Sequence, residues 1–262
     1  HNVENEIWER TAIQETGLKK LYLTILKNRI KKLEKKIINK YDALIPITPR
    51  DAATFKKYGN SRPTKVIPAG ISNHLFKLAD LNQPEDDTLF HIGALDWGPN
   101  QEGLLWFIQK IWPDLLSLRP GVKLHIAGRN APQWLKQYFS NQKNIIFHGE
   151  VEDAYDFMLS KAVMIVPLLS GSGMRIKIVE GMALKKAIVS TNIGAEGLEC
   201  TDNKNIMIAD KPRAFCQKIS RLLSYKKTRK EIGENAQSFA GKYFKNSSIS
   251  LSLINFYHSL TK

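Results

Sequence analysis

Residues 162–191 run AVMIVPLLSGSGMRIKIVEGMALKKAIVST, and this stretch decides the fold class. An uninterrupted apolar run near each end predicts a strand buried on both faces, because a strand exposed on one face alternates apolar and polar residues. Between the two runs, closely spaced glycines predict a turn, and the apolar residues that follow recur at helical spacing. Strand, helix and strand in this order indicate a parallel sheet covered by helices.

The same alternation extends on both sides of this stretch. Apolar runs that predict strands occur at 88–93, 122–128, 144–149, 162–167, 186–191 and 205–209. Helices are predicted near 101–118, 132–141, 152–160, 174–185, 212–224, 226–242 and 246–260. The chain is therefore predicted to be an α/β protein with a Rossmann-like parallel sheet and helices on both faces.

The first 80 residues differ from this pattern. Residues 5–40 contain no proline, and their apolar residues step by three and four, which predicts an amphipathic helix or a broken pair of helices. Shorter predicted elements follow: a strand at 43–48, a helix at 51–58, an extended segment at 65–71 and an acidic, proline-containing linker at 80–87.

Composition excludes several classes of protein. With 43% apolar and 24% charged residues, the 262-residue chain is globular rather than disordered or fibrous. Its apolar runs fall short of the roughly 20 residues that cross a bilayer, and the first ten residues do not resemble a signal peptide. Two cysteines, Cys200 and Cys216, form no metal or disulfide pattern and favour a reducing compartment. We expect a cytoplasmic protein, and a fragment, because the chain begins at His1 within helical sequence.

The net charge of +14 is concentrated in one predicted helix, where nine cations lie between Lys19 and Lys40. Three interpretations are open: a solvated face, a peripheral contact with anionic lipid at the inner face of a membrane, or a nucleic-acid surface. The last is the least favoured, because no nucleic-acid-binding module is visible and the cations are not interleaved with aromatic residues. We predict no nucleic-acid partner.

The glycine-rich turn Gly171–Gly173 predicts an anion site. Ligands of open parallel sheets bind beyond the carboxyl ends of the strands, and the N–H groups at a helix start favour an anion such as phosphate. Arg175 and Lys177 place positive charge where acidic residues are normally preferred, which also points to an anionic ligand. The alternative is that the glycines only form a tight turn and the cations are solvated.

Glu180 is the second candidate feature. It lies about two turns into a predicted helix whose other residues are mostly apolar, so its carboxylate needs a partner. The hydroxyl pair of a ribose or sugar suits an acceptor-only carboxylate. A structural ion pair with Lys177 or Lys185 explains it equally well.

Residues 167–198, PLLSGSGMRIKIVEGMALKKAIVSTNIGAEGL, resemble the nucleotide-sugar domain of family 4 glycosyltransferases, which have the two-domain GT-B fold. The segments GALDWGPNQEGLLWFIQKIWP at 93–113, LHIAGRNAP at 124–132 and FHGEVED at 147–153 are similar to strand-end loops of that family, and HNVE at 1–4 is similar to a segment late in its N-terminal domain.

The resemblance implies three parts. Residues 1–82 would be a remnant of the N-terminal, acceptor-binding domain with a long basic helix and a linker. Residues 83–242 would be the nucleotide-sugar-binding domain, and residues 243–262 a C-terminal helix that packs back on the N-terminal part.

The resemblance also implies roles for particular residues. Glu180 matches the second of the family's paired glutamates and would hold the ribose of the donor nucleotide, whereas Ser172 stands at the place of the first glutamate. In the loop after Gly93, Asp96, Trp97 and Asn100 stand where many relatives use Arg and Lys for the diphosphate. The predicted donor-binding residues are Gly93, Asn100, Arg129, Val151, Gly171, Ser172, Gly173, Arg175, Lys177 and Glu180. No catalytic residue is identified.

By resemblance, the activity is transfer of a sugar from a nucleoside diphosphate sugar to a glycan or lipid-linked acceptor, with retention of configuration. No metal or other cofactor is expected, because the loops lack a paired acidic motif. A fragment without most of the acceptor domain is expected to bind donor without transferring the sugar. The alternatives are another sugar-nucleotide enzyme such as an epimerase, and a non-enzymatic nucleotide-binding or basic surface-binding module.

Overall fold

The computed structural model describes residues 3–13, 15–80, 84–171 and 173–260. The chain divides into two compact units. The first comprises His1–Gly70, Gly171–Met174 and Asn246–Lys262, and the second comprises Ile71–Ser170 and Arg175–Lys245. The predicted site residue Ser172 and residues 81–83 of the predicted linker lie outside the described residues.

The amphipathic N-terminal segment is a pair of helices. In the described part of the first unit, the helices are α1 (Glu4–Ile13), α2 (Gly17–Ile37), α3 (Pro49–Lys57) and α12 (Asn246–Leu260). Gly17 begins α2 with a φ of 61°, a left-handed conformation that costs glycine little. Asn5 of α1 is buried, and its side-chain amide donates to the Glu34 carboxylate of α2 and, at 2.8 Å, to the Tyr58 hydroxyl. This polar network joins α1 to α2 and to the end of α3.

The predicted strand at 43–48 is wrong. This segment forms a single bridge, between Leu44 and Thr64, and otherwise runs extended beside residues 63–67. Pro46 has no N–H to donate to a ladder, and the Thr48 side chain accepts from Asp51 N at 3.1 Å to cap α3. The segment therefore begins a helix instead of continuing a strand.

A six-stranded parallel sheet forms the centre of the second unit, in the order β3–β2–β1–β4–β5–β6. Its strands are β1 (Glu85–Ile92), β2 (Lys123–Ala127), β3 (Ile145–Gly149), β4 (Lys161–Val166), β5 (Ala187–Ser190) and β6 (Met207–Ile208). Each neighbouring pair is parallel. The predicted Rossmann-like α/β fold is confirmed, and the order reverses between β1 and β4, where open sheets of this kind bind ligands.

Helices precede, connect and follow these strands. They are α4 (Leu75–Leu78), α5 (Gly98–Lys110), α6 (Trp112–Leu118), α7 (Gln133–Ser140), α8 (Ala154–Leu159), α9 (Ile176–Ala183), α10 (Pro212–Ser224) and α11 (Lys226–Tyr243). The predicted helix at 101–118 is two helices, because Pro113 has no N–H with which to continue the first. Among the helices described, none is both long and apolar enough to cross a bilayer.

The observed boundaries of two elements differ from the predicted ones. The helix predicted from Met174 begins at Ile176, because Arg175 is extended at its N-cap with φ −88° and ψ 93°. Arg175 therefore precedes the first helical turn. The predicted linker at 80–87 also ends early, because Glu85 already belongs to β1 and its N–H donates to Ser160 O at 3.1 Å.

The core of the second unit joins the sheet to flanking helices through aromatic side chains. Phe215 of α10 packs edge-on against Trp106 and Phe107 of α5, at centroid distances of 5.7 and 5.9 Å. The central strands are buried, whereas the edge strand β3 alternates and exposes Ile146. This rigid base positions the loops at the carboxyl ends of the strands.

Candidate functional site

A cavity of about 350 Å³ opens at the carboxyl ends of β1, β2 and β3. Its lining comes from four successive strand-to-helix connections and comprises Ile92, Gly93, Ala94, Gly128, Arg129, Glu150, Val151, Ala154 and Lys177. Of the predicted site residues, the structure brings Gly93, Arg129, Val151 and Lys177 together in this lining. The cavity lies at the ligand-binding edge of the sheet, beside the reversal of strand order.

Two glycines bring the first two loops into close approach. A Cβ atom on Gly128 would lie 1.8 Å from the carbonyl oxygen of Gly93, and a Cβ atom on Gly93 would lie 2.8 Å from Asn100 Nδ2. Gly93 N donates to Ala127 O at 3.2 Å, and Gly128 N donates to Gly149 O at 2.7 Å. The close approach of the two loops therefore requires bare backbone at Gly128, whereas a side chain at Gly93 would displace the Asn100 amide.

Asn100 holds the first loop in place. It is buried in the first turn of α5, and its side-chain amide donates to Ala94 O at 2.8 Å. Gln101 adds a second bond, from Nε2 to Leu95 O at 2.7 Å. The structure thus gives Asn100 a role in shaping the loop that forms one wall, and a direct contact with a ligand stays a prediction.

Charged side chains line the cavity with an excess of positive charge. Arg129 and Lys177 are cations, and Glu150 is an acid. The Arg129 carbonyl accepts from Leu95 N at 2.9 Å, which fixes the backbone on which its guanidinium is carried. The lining itself carries two cations and one carboxylate, although Lys177 also pairs with Glu180 beside the cavity, so an anionic ligand would compete with Glu180 for Lys177.

Glu180 forms an ion pair with Lys177, which lines this cavity. Its carboxylate oxygen Oε2 is 2.8 Å from Lys177 Nζ, so one of the two predicted structural partners is observed. Lys185 is not that partner, because it pairs with Asp80 at 2.5 Å. The other carboxylate oxygen accepts from the Tyr155 hydroxyl at 3.2 Å. Both oxygens of Glu180 are therefore directed toward polar groups, and the side chain is 12% exposed.

Tyr155 is a site residue that the sequence did not reveal. Burial, followed by the charge of Glu180, raises the pKa of its hydroxyl above the ordinary value, so Tyr155 donates and stays neutral at pH 7. Lys177 Nζ lies 5.9 Å from its ring centroid. The sequence feature that could have revealed Tyr155 is its position in the first turn of α8. That helix is capped by Asp153, whose side chain accepts from Tyr155 N at 2.6 Å. Glu150, adjacent to the predicted Val151, was likewise missed.

Arg175 and Trp97 contact each other across two loops. The guanidinium carbon of Arg175 lies 5.2 Å from the Trp97 ring centroid, within the range of a cation–π interaction. Trp97 is half-exposed and stands at the N-cap of α5. Trp97 is one of the residues that replace the usual Arg and Lys in this loop. It thus contacts Arg175, which is predicted to bind the diphosphate.

The glycine-rich turn has the backbone that its sequence predicts. Gly171 and Gly173 have φ values of 116° and 83°, which other residues rarely adopt. This conformation explains both glycines as turn residues, as the alternative interpretation requires. Contact of either with a ligand stays a prediction.

His91 is buried beneath the first loop. Its Nδ1 lies 3.4 Å from Ile165 O, and burial lowers its pKa to about 4. His125 and His148 pair at 2.9 Å between ring nitrogens, and burial lowers the pKa of His125 to about 4. These histidines are neutral at pH 7 and lie outside the cavity lining.

Residues 86–225 match the family described as glycosyl transferases group 1. The matched region contains the sheet apart from Glu85, the first residue of β1, and every residue that lines the cavity. The chain belongs to this family of enzymes.

Two curated relatives are similar in sequence. An uncharacterised 44.6 kDa protein in the cps region of Klebsiella pneumoniae is 28% identical over 248 residues, which cover 91% of this chain and 62% of the relative. An uncharacterised glycosyltransferase of Methanocaldococcus jannaschii is 31% identical over 109 residues, 38% of this chain and 31% of the relative. The chain spans less than two thirds of either relative.

Solved structures share the fold at low identity. A glycosyltransferase of Rickettsia africae matches with a TM-score of 0.75 and 18% identity over 90% of this chain and 68% of its own. The Anabaena protein HepE in complex with UDP gives 0.71 and 17% over 88% and 68% of the two chains. TarM gives 0.71 and 16% over 87% and 46%. These matches confirm the GT-B architecture predicted from the sequence.

Proposed function

We propose that this chain is the donor-binding part of a retaining, metal-independent glycosyltransferase that moves a sugar from a nucleoside diphosphate sugar to a glycan or lipid-linked acceptor. The observation that carries the proposal is the cavity with Arg129 and Lys177 at the carboxyl edge of the sheet, joined through Lys177 to Glu180. Its volume lies at the lower end of small-molecule sites. It would hold part of the donor, with the remainder extending along the open face.

In this proposal, the cations bind the diphosphate and Glu180 binds the ribose. Phosphate oxygens would attract Lys177 away from the carboxylate that it now contacts, because an anion with several oxygens offers it more acceptors. The Glu180 oxygen released in this way could accept from a ribose hydroxyl, while Tyr155 continues to orient the other oxygen. In this proposal the Glu180 carboxylate therefore pairs with Lys177 before the donor binds and contacts the ribose afterwards.

The chemical step is departure of the nucleoside diphosphate from the anomeric carbon. The bond from that carbon to the β-phosphate oxygen breaks, and the oxygen keeps the electron pair. Arg129, Lys177 and Arg175 would stabilise the developing charge, an effect that strengthens as water is excluded. The acceptor hydroxyl then bonds to the anomeric carbon, and its proton passes to a phosphate oxygen of the leaving group. Retention of configuration rests on the resemblance of residues 167–198 to family 4.

Structural neighbours support the choice of the first probe. HepE has been solved with UDP and with UDP-glucose, and TarM with UDP. At 16 to 17% identity these neighbours share only the fold with this chain. We therefore propose a uridine donor as the first to be tested, with GDP and ADP in parallel.

The first part of the chain is proposed to be the remnant of the acceptor domain. Its helix α2 carries eight of the nine cations between Lys19 and Lys40 together with exposed apolar residues. We propose that this helix makes a peripheral contact with anionic lipid, which suits a lipid-linked acceptor. Without most of that domain, the chain is expected to release no UDP from UDP-sugar in the presence of acceptors beyond the rate of hydrolysis.

Calorimetric titration with UDP, GDP and ADP tests the donor site. Glu180→Ala should weaken binding of the preferred nucleotide about tenfold or more, because the ribose loses a charged acceptor. Glu180→Gln, which keeps one acceptor oxygen, should lose less. Glu231→Ala removes an exposed carboxylate of α11 and should leave affinity unchanged.

Unchanged nucleotide affinity in Glu180→Ala, with the fold intact by circular dichroism, would remove this residue from the site. Absence of binding by any of the three nucleotides would contradict the donor-site proposal as a whole.

A further inference from the structure

A second cavity, of about 560 Å³, lies at the opposite edge of the sheet. It opens where β1, β4 and β5 begin, so the sheet itself separates it from the cavity at the carboxyl ends. Its lining includes Asp80, Lys185, Lys186, Lys226, Arg229 and Glu234. The proposed transfer reaction uses none of these residues.

Five cations converge on this cavity from two elements. Lys185 and Lys186 immediately precede β5, and Lys226, Arg229 and Lys230 lie in the first turns of α11. Cations at a helix N-terminus oppose the positive end of the helix dipole, where acidic residues are preferred. The cations in the first turns of α11 are therefore unfavourable for the helix itself, which suggests that positive charge serves another purpose here.

A glycine brings the two elements together. A Cβ atom on Gly233 would lie 2.1 Å from the carbonyl oxygen of Lys185. Only a glycine at this position lets α11 pack directly on the corner that carries Lys185 and Lys186. The convergence of the five cations thus depends on close backbone packing between α11 and the start of β5.

Nearby carboxylates neutralise only part of this charge. Asp86 pairs with Lys226 and, at 2.7 Å, with Arg229, while Asp80 pairs with Lys185 at 2.5 Å. The remaining carboxylate, Glu234, is 3.8 Å from Lys230. Three carboxylates facing five cations leave a net charge of about +2 when Lys186 is protonated.

Two of the cations that line the cavity have hydrogen-bond donors left over. Lys186 is buried and donates to the carbonyl oxygens of Leu159 and Lys161 at 2.7 and 2.8 Å, so no carboxylate pairs with it among the described residues. Burial, followed by the charges of Arg229 and Lys161, lowers the pKa of Lys186 to about 7. Arg229 is 11% exposed, and its Nη1 atom contacts no acceptor in the described chain.

We propose that this cavity is a second anion site that binds the phosphate group of a phosphate ester, separately from the donor site. Arg229 and Lys226 would contact the phosphate oxygens, exchanging part of their contact with Asp86 for it. The cavity is larger than a phosphate ion requires, which leaves room for the group that the phosphate is attached to. A phospholipid headgroup and a soluble phosphate ester present the same chemistry.

Calorimetric titration of the whole chain with sn-glycerol 3-phosphate tests the site. Binding should be saturable, and Arg229→Gln should weaken it about tenfold. Lys227→Gln is the matched control, because Lys227 lies in the same turn, is exposed and does not line the cavity. The control should bind as the unmodified chain does, and thermal unfolding should confirm that both variants fold.

Competition separates this site from the donor site. Saturating glycerol phosphate should leave the affinity for UDP unchanged, and Arg229→Gln should bind UDP normally. Displacement of UDP by glycerol phosphate, equal affinity in Arg229→Gln and the unmodified chain, or no saturable binding would each overturn the proposal. Failure of UDP to bind would contradict the donor site alone.

Vesicle sedimentation distinguishes the two sources of the phosphate. If the ligand is a lipid headgroup, phosphatidylglycerol vesicles should compete with glycerol phosphate, and Arg229→Gln should bind those vesicles less than Lys227→Gln does. If the ligand is soluble, the two variants should bind vesicles equally while they differ in affinity for glycerol phosphate.

Discussion

The contact between Lys177 and Glu180 shows how one pair of residues accommodates both interpretations of the sequence. A carboxylate that is 12% exposed is costly without a partner, and Lys177 at 2.8 Å supplies one. Lys177 also lines the cavity, so its ammonium is available to a phosphate. An ion pair in the free protein and a ribose contact in the proposed complex are therefore compatible.

His91 makes the stability of the chain sensitive to acid. Its pKa is about 4 in the folded protein, against an ordinary value of 6.5, so between these two values the unfolded chain binds a proton that the folded chain excludes. The stabilisation is complete above pH 6.5 and is lost as the pH falls toward 4. Across this window, His91→Gln should reduce the slope of unfolding free energy by about 1.4 kcal/mol per pH unit.

Urea denaturation at pH 7 and pH 5 measures this slope. His74→Gln is the control, because His74 is exposed and should leave the pH dependence unchanged. A slope in His91→Gln equal to that of the unmodified chain would contradict the assignment. His125, whose pKa is also about 4, should account for part of the remaining slope.

At the residue scale, the sequence predicted which residues lie in the loops of the site better than it predicted which side chains contact each other. Gly93 and Arg129 lie in loops that follow predicted strands, whose carboxyl ends share one edge of a parallel sheet, whereas Val151 was implied by the resemblance to family 4 glycosyltransferases. The contact of Tyr155 with Glu180 joins α8 to α9, and it depends on how both helices pack on the sheet. A single sequence does not contain that distance.

At the scale of elements, the approach of β2 to the loop after β1 decides the shape of the cavity. Gly128→Ala would place a methyl group 1.8 Å from the Gly93 carbonyl oxygen, so one of the two loops must move. We expect this overpacking to lower the free energy of unfolding by about 2 kcal/mol and to weaken nucleotide binding, because the cavity floor is displaced.

Gly121→Ala is the matched control for this substitution. Gly121 lies near the amino end of the same strand, and a Cβ atom there would meet nothing within 4 Å. Denaturant unfolding and UDP titration of the two variants should differ clearly. Equal stability and equal affinity would mean that the loops tolerate separation and that their close approach does not shape the site.

The elements themselves were predictable to the extent that burial determined them. Strands in the sheet have continuous apolar sequence, and all six were found from that pattern. The error at 43–48 has the opposite cause: the segment is apolar, but Pro46 and the capping role of Thr48 prevent a ladder. Apolar sequence predicts burial more reliably than it predicts which hydrogen bonds form.

At the scale of the whole molecule, the positive charge is distributed among places with different proposed partners. Much of the net charge of +14 lies in the cavity at the carboxyl ends of the strands, in the cavity at their amino ends and in helix α2. Total charge alone would attract any anionic surface, with an affinity that falls as salt increases. Distinguishing a localised lipid contact from this general attraction requires variants of equal charge.

Two triple variants meet this requirement. Replacing Lys20, Lys32 and Lys36 by Gln removes three exposed cations from α2, and replacing Lys110, Lys204 and Lys227 by Gln removes three exposed cations from the second unit. Both lower the net charge from +14 to +11. If α2 contacts anionic lipid, the first variant should lose about a hundredfold in partitioning to phosphatidylglycerol vesicles, whereas the second should lose little.

The apolar residues of α2 make the contact more specific than charge alone. Leu18, Leu21 and Ile25 are each at least half exposed and lie at helical spacing, so insertion at an interface would bury them beside the cations. Binding that persists in part at high salt would reflect this apolar contribution. Equal losses in the two triple variants, abolished by salt, would instead assign vesicle binding to the total charge and leave the cations of α2 as a solvated face.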